Sequence, residues 1–370
     1  MPNEELFIGL ISGTSLDGID AALVDFSAGS PKLRSTLHSP YSGPLLGELR
    51  SLCQPGNNEI DRLGELDRQV GRAFAAAVDA LIGQAGVAAG QIAAIGSHGQ
   101  TIRHRPATNN PFTLQIGDPN TLAELTGITT VADFRRRDIA AGGEGAPLVP
   151  AFHQALLQTE ARARVVLNLG GIANITCLPT LGDGSVIGYD TGPANTLLDS
   201  WISRHRNQAF DSEGCWAASG QLLDSLLQEL LEEPYFELPP PKSTGTEYFN
   251  LAWLEPHLPT PLPPAEDVQR TLAELTARSA ADAIRREGYG DCEVLVCGGG
   301  AHNLFLLELL QRQLPESTVG SVTKYGLDPD WIEAMAFAWL ARRTLTGLPG
   351  NLPTVTGARR AVPLGAIFPG

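Results

Sequence analysis

The chain has 370 residues, which predicts roughly two domains, and 43% of its residues are apolar, enough for substantial cores. Acidic residues outnumber lysine and arginine by 41 to 26, a net charge of −15, and this argues against a nucleic-acid partner because phosphate backbones select basic surfaces. The 40 glycines and 27 prolines mark a chain rich in turns, so the turns are where we look for function.

The five cysteines are odd in number and contain no C-x-x-C pair, which favours free thiols over a disulfide framework or a zinc site. The first residues include acidic side chains where a secretory signal carries basic ones. No stretch approaches the roughly 20 apolar residues of a membrane span. We therefore expect a cytoplasmic protein with no membrane partner.

Two segments share a pattern of apolar strand, glycine turn and second strand. In the first, residues 6–11 run into the turn Ser12–Gly18 and then into residues 19–26; in the second, residues 164–169 and 173–178 flank Gly170 and Gly171. Each pattern predicts a β-hairpin. Two readings stay open, namely a coincidence of common hairpins, or two similar halves whose hairpin turns face a shared cleft.

Elsewhere helices and strands alternate, which is typical of an α/β protein. Apolar spacing and caps predict the following elements: helices at 66–81, 147–158, 195–206 and 265–287, a helix from a cap at Asp328 to Leu345, and strands at 92–96 and 294–297. Nine prolines between Pro234 and Pro264 exclude a continuous helix or central strand there. We interpret residues 234–264 as an inserted loop or lid.

Three glycine loops follow predicted strands. The loop Gly13–Gly18 has the glycine spacing of a Walker A motif, but Ile19 and Asp20 stand where that motif needs Lys and Ser or Thr. The loop at 298–303 matches only the first two glycines of a dinucleotide fingerprint. We interpret the hairpin turns as phosphate-binding loops, and Gly298–Gly300 as a backbone surface for a flat base. The alternative is that all three are structural turns.

Candidate catalytic groups occur in polar segments beside such turns. Asp190, after an apolar run, is placed as a general base at the mouth of a cleft, or else forms a helix cap or Asx-turn. Residues 133–138 hold three arginines, either a solvated charge run or a substrate wall. Residues 97–101 predict a polar loop, in which His98 has a structural role. Lys242, in the proline-rich insertion, either reaches a phosphate on closure or is an exposed surface lysine.

Taken together, these motifs resemble the anhydro-N-acetylmuramic acid kinase family. The resemblance runs in order through nearly the whole chain and is carried by residues 9–20, 96–101, 132–138, 145–150, 168–174, 190–195, 242–245, 297–303 and 333–337. Two departures are small, because Ile11 stands where methionine is usual and Ala194 where glycine is usual. Neither change removes a reactive group.

The resemblance implies a two-lobed actin-like ATPase (ribonuclease H-like) α/β fold with the active site in the interlobe cleft. The lobes would be residues 1–130, completed by part of 346–370, and residues 131–345. It further implies an ATP- and Mg²⁺-dependent kinase that hydrolytically opens the 1,6-anhydro ring of 1,6-anhydro-N-acetylmuramic acid and phosphorylates O6. The products would be N-acetylmuramic acid 6-phosphate and ADP, in peptidoglycan recycling, and the assembly a homodimer.

The resemblance also assigns roles residue by residue. Asp190 would be the catalytic base, and Asp17 and Asp20 would contact the metal through water. The ATP-binding residues would be Ser12, Gly13, Thr14, Ser15, Leu16, Asp17, Gly18, Ile19, Asn168, Gly170, Gly171, Gly298, Gly299, Gly300 and Asn303. The sugar and its lactyl carboxylate would contact Gln100, Thr101, Asp133, Arg135 and Glu333. Two alternatives remain, another sugar or acyl kinase of the same superfamily, or a nucleotide-gated sensor that needs no base at Asp190.

Overall fold

The computed structural model describes residues 5–13, 16 and 18–370. It divides into two compact units, a first unit of Met1–Phe152 with Trp331–Gly370, and a second unit of His153–Asp330. The strands in chain order are β1 (Leu6–Ser12), β2 (Gly18–Asp25), β3 (Lys32–Pro40), β4 (Ile92–Arg105), β5 (Phe112–Ile116), β6 (Thr130–Ala132), β7 (Arg164–Leu169), β8 (Ile172–Leu178), β9 (Ile187–Pro193), β10 (Glu293–Cys297), β11 (Thr318–Ser321) and β12 (Ala366–Phe368).

Helices and strands are interspersed along the chain, as expected for an α/β protein. In chain order they are α1 (Gly43–Leu52), α2 (Glu59–Ala85), α3 (Pro119–Thr126), α4 (Phe134–Ala140), α5 (Val149–Leu157), α6 (Asn195–Arg206), α7 (Cys215–Ser219), α8 (Asp224–Leu231), α9 (Pro234–Glu237), α10 (Leu251–Leu254), α11 (Ala265–Arg286), α12 (Leu304–Gln313), α13 (Ile332–Leu345) and α14 (Pro353–Thr356). None of the helices in the described ranges combines the length and apolar character needed to span a bilayer.

The sheet of the first unit has the order β12-β6-β4-β1-β2-β3, with β5 paired to β4. Strand β2 runs antiparallel to β1, whereas β4 runs parallel to it. Every residue of β1 is buried, as expected for a strand covered on both faces. Helix α13 packs so closely on this sheet that a Cβ at Gly9 would lie 1.8 Å from the carbonyl oxygen of Ala334.

The sheet of the second unit repeats this arrangement with the order β11-β10-β7-β8-β9. Strand β8 is antiparallel to β7, and β10 is parallel to it. In each unit the first strand is therefore central, the hairpin partner lies on one side, and later parallel strands lie on the other. The two hairpins are equivalent elements of two similar units, which confirms the duplicated actin-like α/β fold.

Three details differ from the sequence predictions. The loop predicted at 97–101 is wrong, because β4 continues to Arg105, where β5 pairs with its second half. Helix α13 begins at Ile332, not at a cap on Asp328, whose carboxylate instead accepts a hydrogen bond from the Asp330 N–H at 3.1 Å. The first unit is also larger than the predicted lobe, since it continues past residue 130 to Phe152 and resumes at Trp331 rather than at 346. The reason is that β6 pairs with β4 and that α13 packs on β1 and β4.

Candidate active site

The turn of the first hairpin is held by side chains. The hydroxyl oxygen of Ser12 lies 2.6 Å from the Gly18 carbonyl oxygen and 2.6 Å from Gln100 Oε1, and Gln100 Nε2 donates to the Gly13 carbonyl at 3.1 Å. Both ends of the buried Gln100 amide thus bind the turn rather than facing solvent. Leu16 has a left-handed φ of 59°, as a tight turn requires.

Several predicted phosphate and metal contacts cannot be placed. Thr14, Ser15 and Asp17 lie outside the described residues. Asp20 is described, and its Oδ1 lies 2.7 Å from His38 Nδ1. No three His, Cys, Asp or Glu side chains converge as a metal site within residues 5–13, 16 and 18–370. A single carboxylate such as Asp20 suits Mg²⁺, which usually keeps several waters and takes its other oxygens from substrate phosphates.

Arg135 is a positioned cation in the first unit. Its Nε–H donates to His98 Nε2 at 2.8 Å, and Nη1 donates to the Gly145 carbonyl at 2.9 Å. Burial, with Arg135 adding to it, holds the pKa of His98 well below its usual range. The ring is therefore neutral, with Nδ1 donating to the Gly99 carbonyl at 2.9 Å and Nε2 accepting. The structural role that we predict for His98 is thereby given a content that the sequence does not show, since its ring orients the Arg135 guanidinium.

Glu333 lies in the first turn of α13 and acts electrostatically on Arg135. Burial lowers the pKa of Arg135 to about 10, while the Glu333 and Asp138 carboxylates oppose that change, so the guanidinium stays charged at neutral pH. Desolvation raises the pKa of Glu333, the positive charge of Arg135 lowers it, and the negative charge of the Asp20 carboxylate raises it further. A cation and a carboxylate thus share this part of the first unit.

The other two predicted sugar contacts bind neighbouring side chains. Asp133 has a left-handed φ of 61°, and its Oδ1 accepts from Arg136 Nε at 2.7 Å. Thr101 Oγ1 accepts from Gln115 Nε2 at 3.1 Å. A non-glycine residue with φ in this region is uncommon, and such strain is often found at binding sites.

In the second unit, Asp190 lies at a bulge in β9. Asp190 and Gly192 pair with consecutive residues of β8, so Thr191 is an extra residue in the strand. Bulges of this kind re-aim a neighbouring side chain and are frequent next to active sites. Desolvation by burial raises the pKa of Asp190 to about 6, the Thr244 N–H lowers it, and the nearby Glu247 raises it.

The turn of the second hairpin is held by the backbone of a helix. The Gly171 carbonyl accepts from the N–H groups of Ala194 and Thr196 at 3.0 and 3.1 Å, and the Gly170 carbonyl accepts from Asn195 N–H at 3.0 Å. Asn195 Nδ2 also donates to the Leu169 carbonyl at 2.8 Å. The start of α6, which follows Asp190 by a few residues, is thereby attached to this turn.

The three glycines of the loop after β10 differ in how closely other atoms surround them. Gly298 has a φ of +75°, and a Cβ there would lie 2.4 Å from Asn168 Oδ1; a Cβ at Gly300 would lie 2.5 Å from the Leu169 Cβ. These two glycines allow close packing against β7. Gly299 is exposed, and a Cβ there meets no atom closer than 4.0 Å, so it has room for a ligand. Asn303 is the N-cap of α12, accepting from Leu306 N–H at 3.0 Å.

A family model for anhydro-N-acetylmuramic acid kinase matches residues 5–370. The chain belongs to this family. A curated relative of that name from Shewanella amazonensis is 54% identical over 370 residues, covering 99% of both chains. Another from Xylella fastidiosa is 56% identical over 98% of this chain and 96% of its own. A dehydratase activator from Clostridium difficile with bound ADPNP aligns over 90% of this chain and 92% of its own, at 12% identity and a TM-score of 0.45.

In this member of the kinase family, some of the predicted site residues contact one another, and Asp190 has further partners that the sequence does not predict. The structure joins Gln100 to Ser12 and Gly13, and it joins Asn168 to Gly298 through their close packing. The partners of Asp190 in the proline-rich insertion are additional. The only sequence signal for them is the segment 242–245, which carries part of the family resemblance but no chemistry that points to a carboxylate.

Lys242 is not the exposed surface lysine of one sequence interpretation, while its contact with a phosphate on closure stays a prediction. Its Nζ donates to the carbonyls of Tyr235 and Phe236 at 3.0 and 3.2 Å and lies 4.6 Å from the centre of the Tyr235 ring. Burial is the main cause that lowers its pKa. In this structure it is therefore an internal tie within the insertion, neither a freely exposed lysine nor one extended toward a ligand.

Proposed function

We propose that this member of the family is an ATP-dependent kinase that opens the 1,6-anhydro ring of 1,6-anhydro-N-acetylmuramic acid with water and phosphorylates O6. The products are N-acetylmuramic acid 6-phosphate and ADP, which places the reaction in peptidoglycan recycling. The observation that carries the proposal is Asp190, a part-buried carboxylate whose pKa of about 6 suits a general base at neutral pH. It is ionised at pH 7 yet basic enough to take a proton.

In the first half of the reaction, Asp190 removes a proton from a water molecule as the water oxygen attacks the anomeric carbon. The bond between C1 and the bridging oxygen breaks, and its electron pair stays on that oxygen. A bridging ether oxygen is a poor nucleophile until this bond starts to break. The carboxylate therefore activates the water and, through it, the nucleophile of the second half.

In the second half, the released O6 attacks the γ-phosphorus of ATP, and the bond from that phosphorus to the β,γ-bridging oxygen breaks to give ADP. Catalysis of phosphoryl transfer is mostly positioning and electrostatic stabilisation. Backbone N–H groups of the turns at 12–19 and 168–171 would hold the phosphates, and Gly299 would border the adenosine. Mg²⁺ would neutralise phosphate charge, with Asp17 and Asp20 contacting it through water.

The sugar would lie against the first unit's charged group. Arg135, oriented by His98 and the Gly145 carbonyl, is a fixed cation suited to the lactyl carboxylate. The Glu333 and Asp133 carboxylates would accept hydrogen bonds from sugar hydroxyls, and the Thr101 hydroxyl would accept or donate one. Gln100 is better suited to holding the Ser12–Gly18 turn, because both ends of its amide already bind there.

The proposal is tested by incubating the protein with ATP, Mg²⁺ and the anhydro sugar in ¹⁸O-labelled water. The product should be 6-phosphorylated and carry the label at its anomeric oxygen, read by mass spectrometry after fragmentation. A phosphorylated product with an intact anhydro ring, or label at O6, would contradict coupled hydrolysis. Omitting Mg²⁺ tests the metal, and light scattering after size exclusion tests assembly as a homodimer. Fractionation of cells that express a tagged chain tests the cytoplasmic location.

A further inference from the structure

Among the described residues, the hydrogen bonds of Asp190 outside its own sheet are made with one short part of the proline-rich insertion, residues 235–244, which we call the clamp segment. The Tyr235 hydroxyl donates to the Asp190 carbonyl at 2.7 Å. The Asp190 N–H donates to the Lys242 carbonyl at 3.4 Å, and the Thr244 N–H donates to Asp190 Oδ2 at 3.1 Å. The backbone N–H, backbone carbonyl and carboxylate of one residue are thus all bonded by this segment.

The position of β9 explains why such contacts matter. It is the edge strand of the second unit's sheet, so one side of its backbone has no strand partner among the described residues. The bulge at Thr191 also interrupts the ladder to β8 beside Asp190. A bulge bends and twists its strand, and an edge strand leaves backbone groups on one side without a ladder partner. Contacts from the clamp segment supply the missing partners at this point.

The clamp segment is itself tied across its length. Lys242, near its end, donates to the carbonyls of Tyr235 and Phe236, near its start, and its ammonium lies over the Tyr235 ring. Tyr235 is only 7% exposed, and its ring makes an edge-on contact with Phe249 at 5.7 Å between centroids. The hydroxyl that reaches Asp190 is therefore carried by a ring with little freedom to move.

We propose that the clamp segment positions the catalytic base, with Tyr235 as the main positioning residue and Lys242 as the tie that holds it. This rests on the role of Asp190 in the proposed function and goes beyond it, since it gives the insertion a part in catalysis. The Thr244 N–H has a second consequence. It favours the ionised carboxylate and so offsets part of the effect of burial on the base.

The first experiment compares two tyrosines of the same insertion. Tyr235→Phe removes the hydroxyl that reaches Asp190, and we expect kcat to fall about five- to tenfold, with the KM values for ATP and sugar within twofold, as for the loss of one hydrogen bond that orients a reacting group. Tyr248→Phe is the control, because its hydroxyl binds Glu233 at 2.7 Å and not Asp190. Its kcat should stay within twofold of wild type.

The second experiment tests the carboxylate contact. Thr244→Pro removes the N–H donor, whereas Thr244→Ala keeps it. The acidic limb of the kcat/KM profile should move to higher pH in Thr244→Pro only, because loss of that donor raises the pKa of the base. If Thr244→Pro does not fold, the comparison of Tyr235→Phe with Tyr248→Phe decides alone.

Three results would overturn the inference. They are a wild-type kcat in Tyr235→Phe, equal losses in Tyr235→Phe and Tyr248→Phe, or a fall in kcat that is explained by an equal loss of folded protein in thermal melts. Asp190→Asn separates this from the proposed function. If Asp190→Asn is fully active, the proposed base is wrong; if it is inactive while Tyr235→Phe equals wild type, only the clamp is wrong.

Discussion

The two hairpin turns occupy equivalent places in two sheets that share a run of five strands in the same order, β6-β4-β1-β2-β3 and β11-β10-β7-β8-β9, yet they are held in different ways. The turn after β1 is tied by side chains, through Ser12 and Gln100. The turn after β7 is tied by backbone groups, since the carbonyls of Gly170 and Gly171 accept from the first N–H groups of α6. Duplicated folds conserve topology without conserving the bonds that stabilise each copy.

The chemistry is also divided between the units. The first unit holds a group of opposite charges, Arg135 and Glu333, oriented by neighbours such as His98. The second holds Asp190, whose pKa is raised chiefly by burial and further by the like charge of Glu247. From this difference we infer that the first unit binds the sugar and the second activates the attacking water. The predictions below test that division and the two ways of holding a turn.

The largest effect is expected at Asp190. Asp190→Asn should lower kcat by about 10²- to 10⁴-fold, the usual contribution of a general base, with ATP affinity unchanged in calorimetry. The matched change in the first unit is Glu333→Gln, which should raise the sugar KM about tenfold, as for loss of a charged hydrogen bond, and leave kcat within tenfold. Equal losses of kcat in both variants would break the division into binding and activating units.

Backbone packing in the second unit is tested at neighbouring glycines. Gly298→Ala places a methyl group 2.4 Å from Asn168 Oδ1 at a left-handed φ, and should lower the free energy of unfolding by about 1–3 kcal/mol. Gly299→Ala meets no such contact and should melt like wild type while raising the KM for ATP. Equal destabilisation by both changes, or a Gly299→Ala variant with an unchanged KM for ATP, would contradict this assignment.

The sequence predicts well the helices and strands that follow from local apolar spacing, and it predicts poorly the contacts between residues that are far apart in the chain. Both hairpins, the helix at 195–206 and the strand before Gly298 follow from apolar spacing. The polar residues 97–101 do not look like a strand, because what makes them one is pairing with β5, which local sequence does not show. Asp190 is predicted from its position after an apolar run and before a helix, whereas Tyr235 and Thr244 lie far along the chain and only folding brings them to it.

The pH dependence sharpens the role of Asp190. The base works only when ionised, so kcat/KM should fall about tenfold per unit as pH drops below the pKa of about 6. Glu247→Gln removes a negative charge that raises this pKa, so the acidic limb should move to lower pH. A limb that stays in place in Glu247→Gln, or a wild-type profile flat between pH 7 and 5, would show that another group controls the reaction.

The smallest effect tests the side-chain tie in the first unit. Gln100→Ala leaves the Ser12 hydroxyl and the Gly13 carbonyl without the amide partner, a loss of about 1 kcal/mol that should raise the KM for ATP about fivefold. Gln84→Ala is the control, because Gln84 is exposed on α2 and its amide donates to Ser35 and Thr36 of β3, away from the turn. The resemblance instead assigns Gln100 to the sugar, and the two roles give opposite results. A Gln100→Ala variant with a raised sugar KM and an unchanged KM for ATP would show that the amide leaves the turn to bind substrate, and that the first turn, like the second, is held mainly by its backbone.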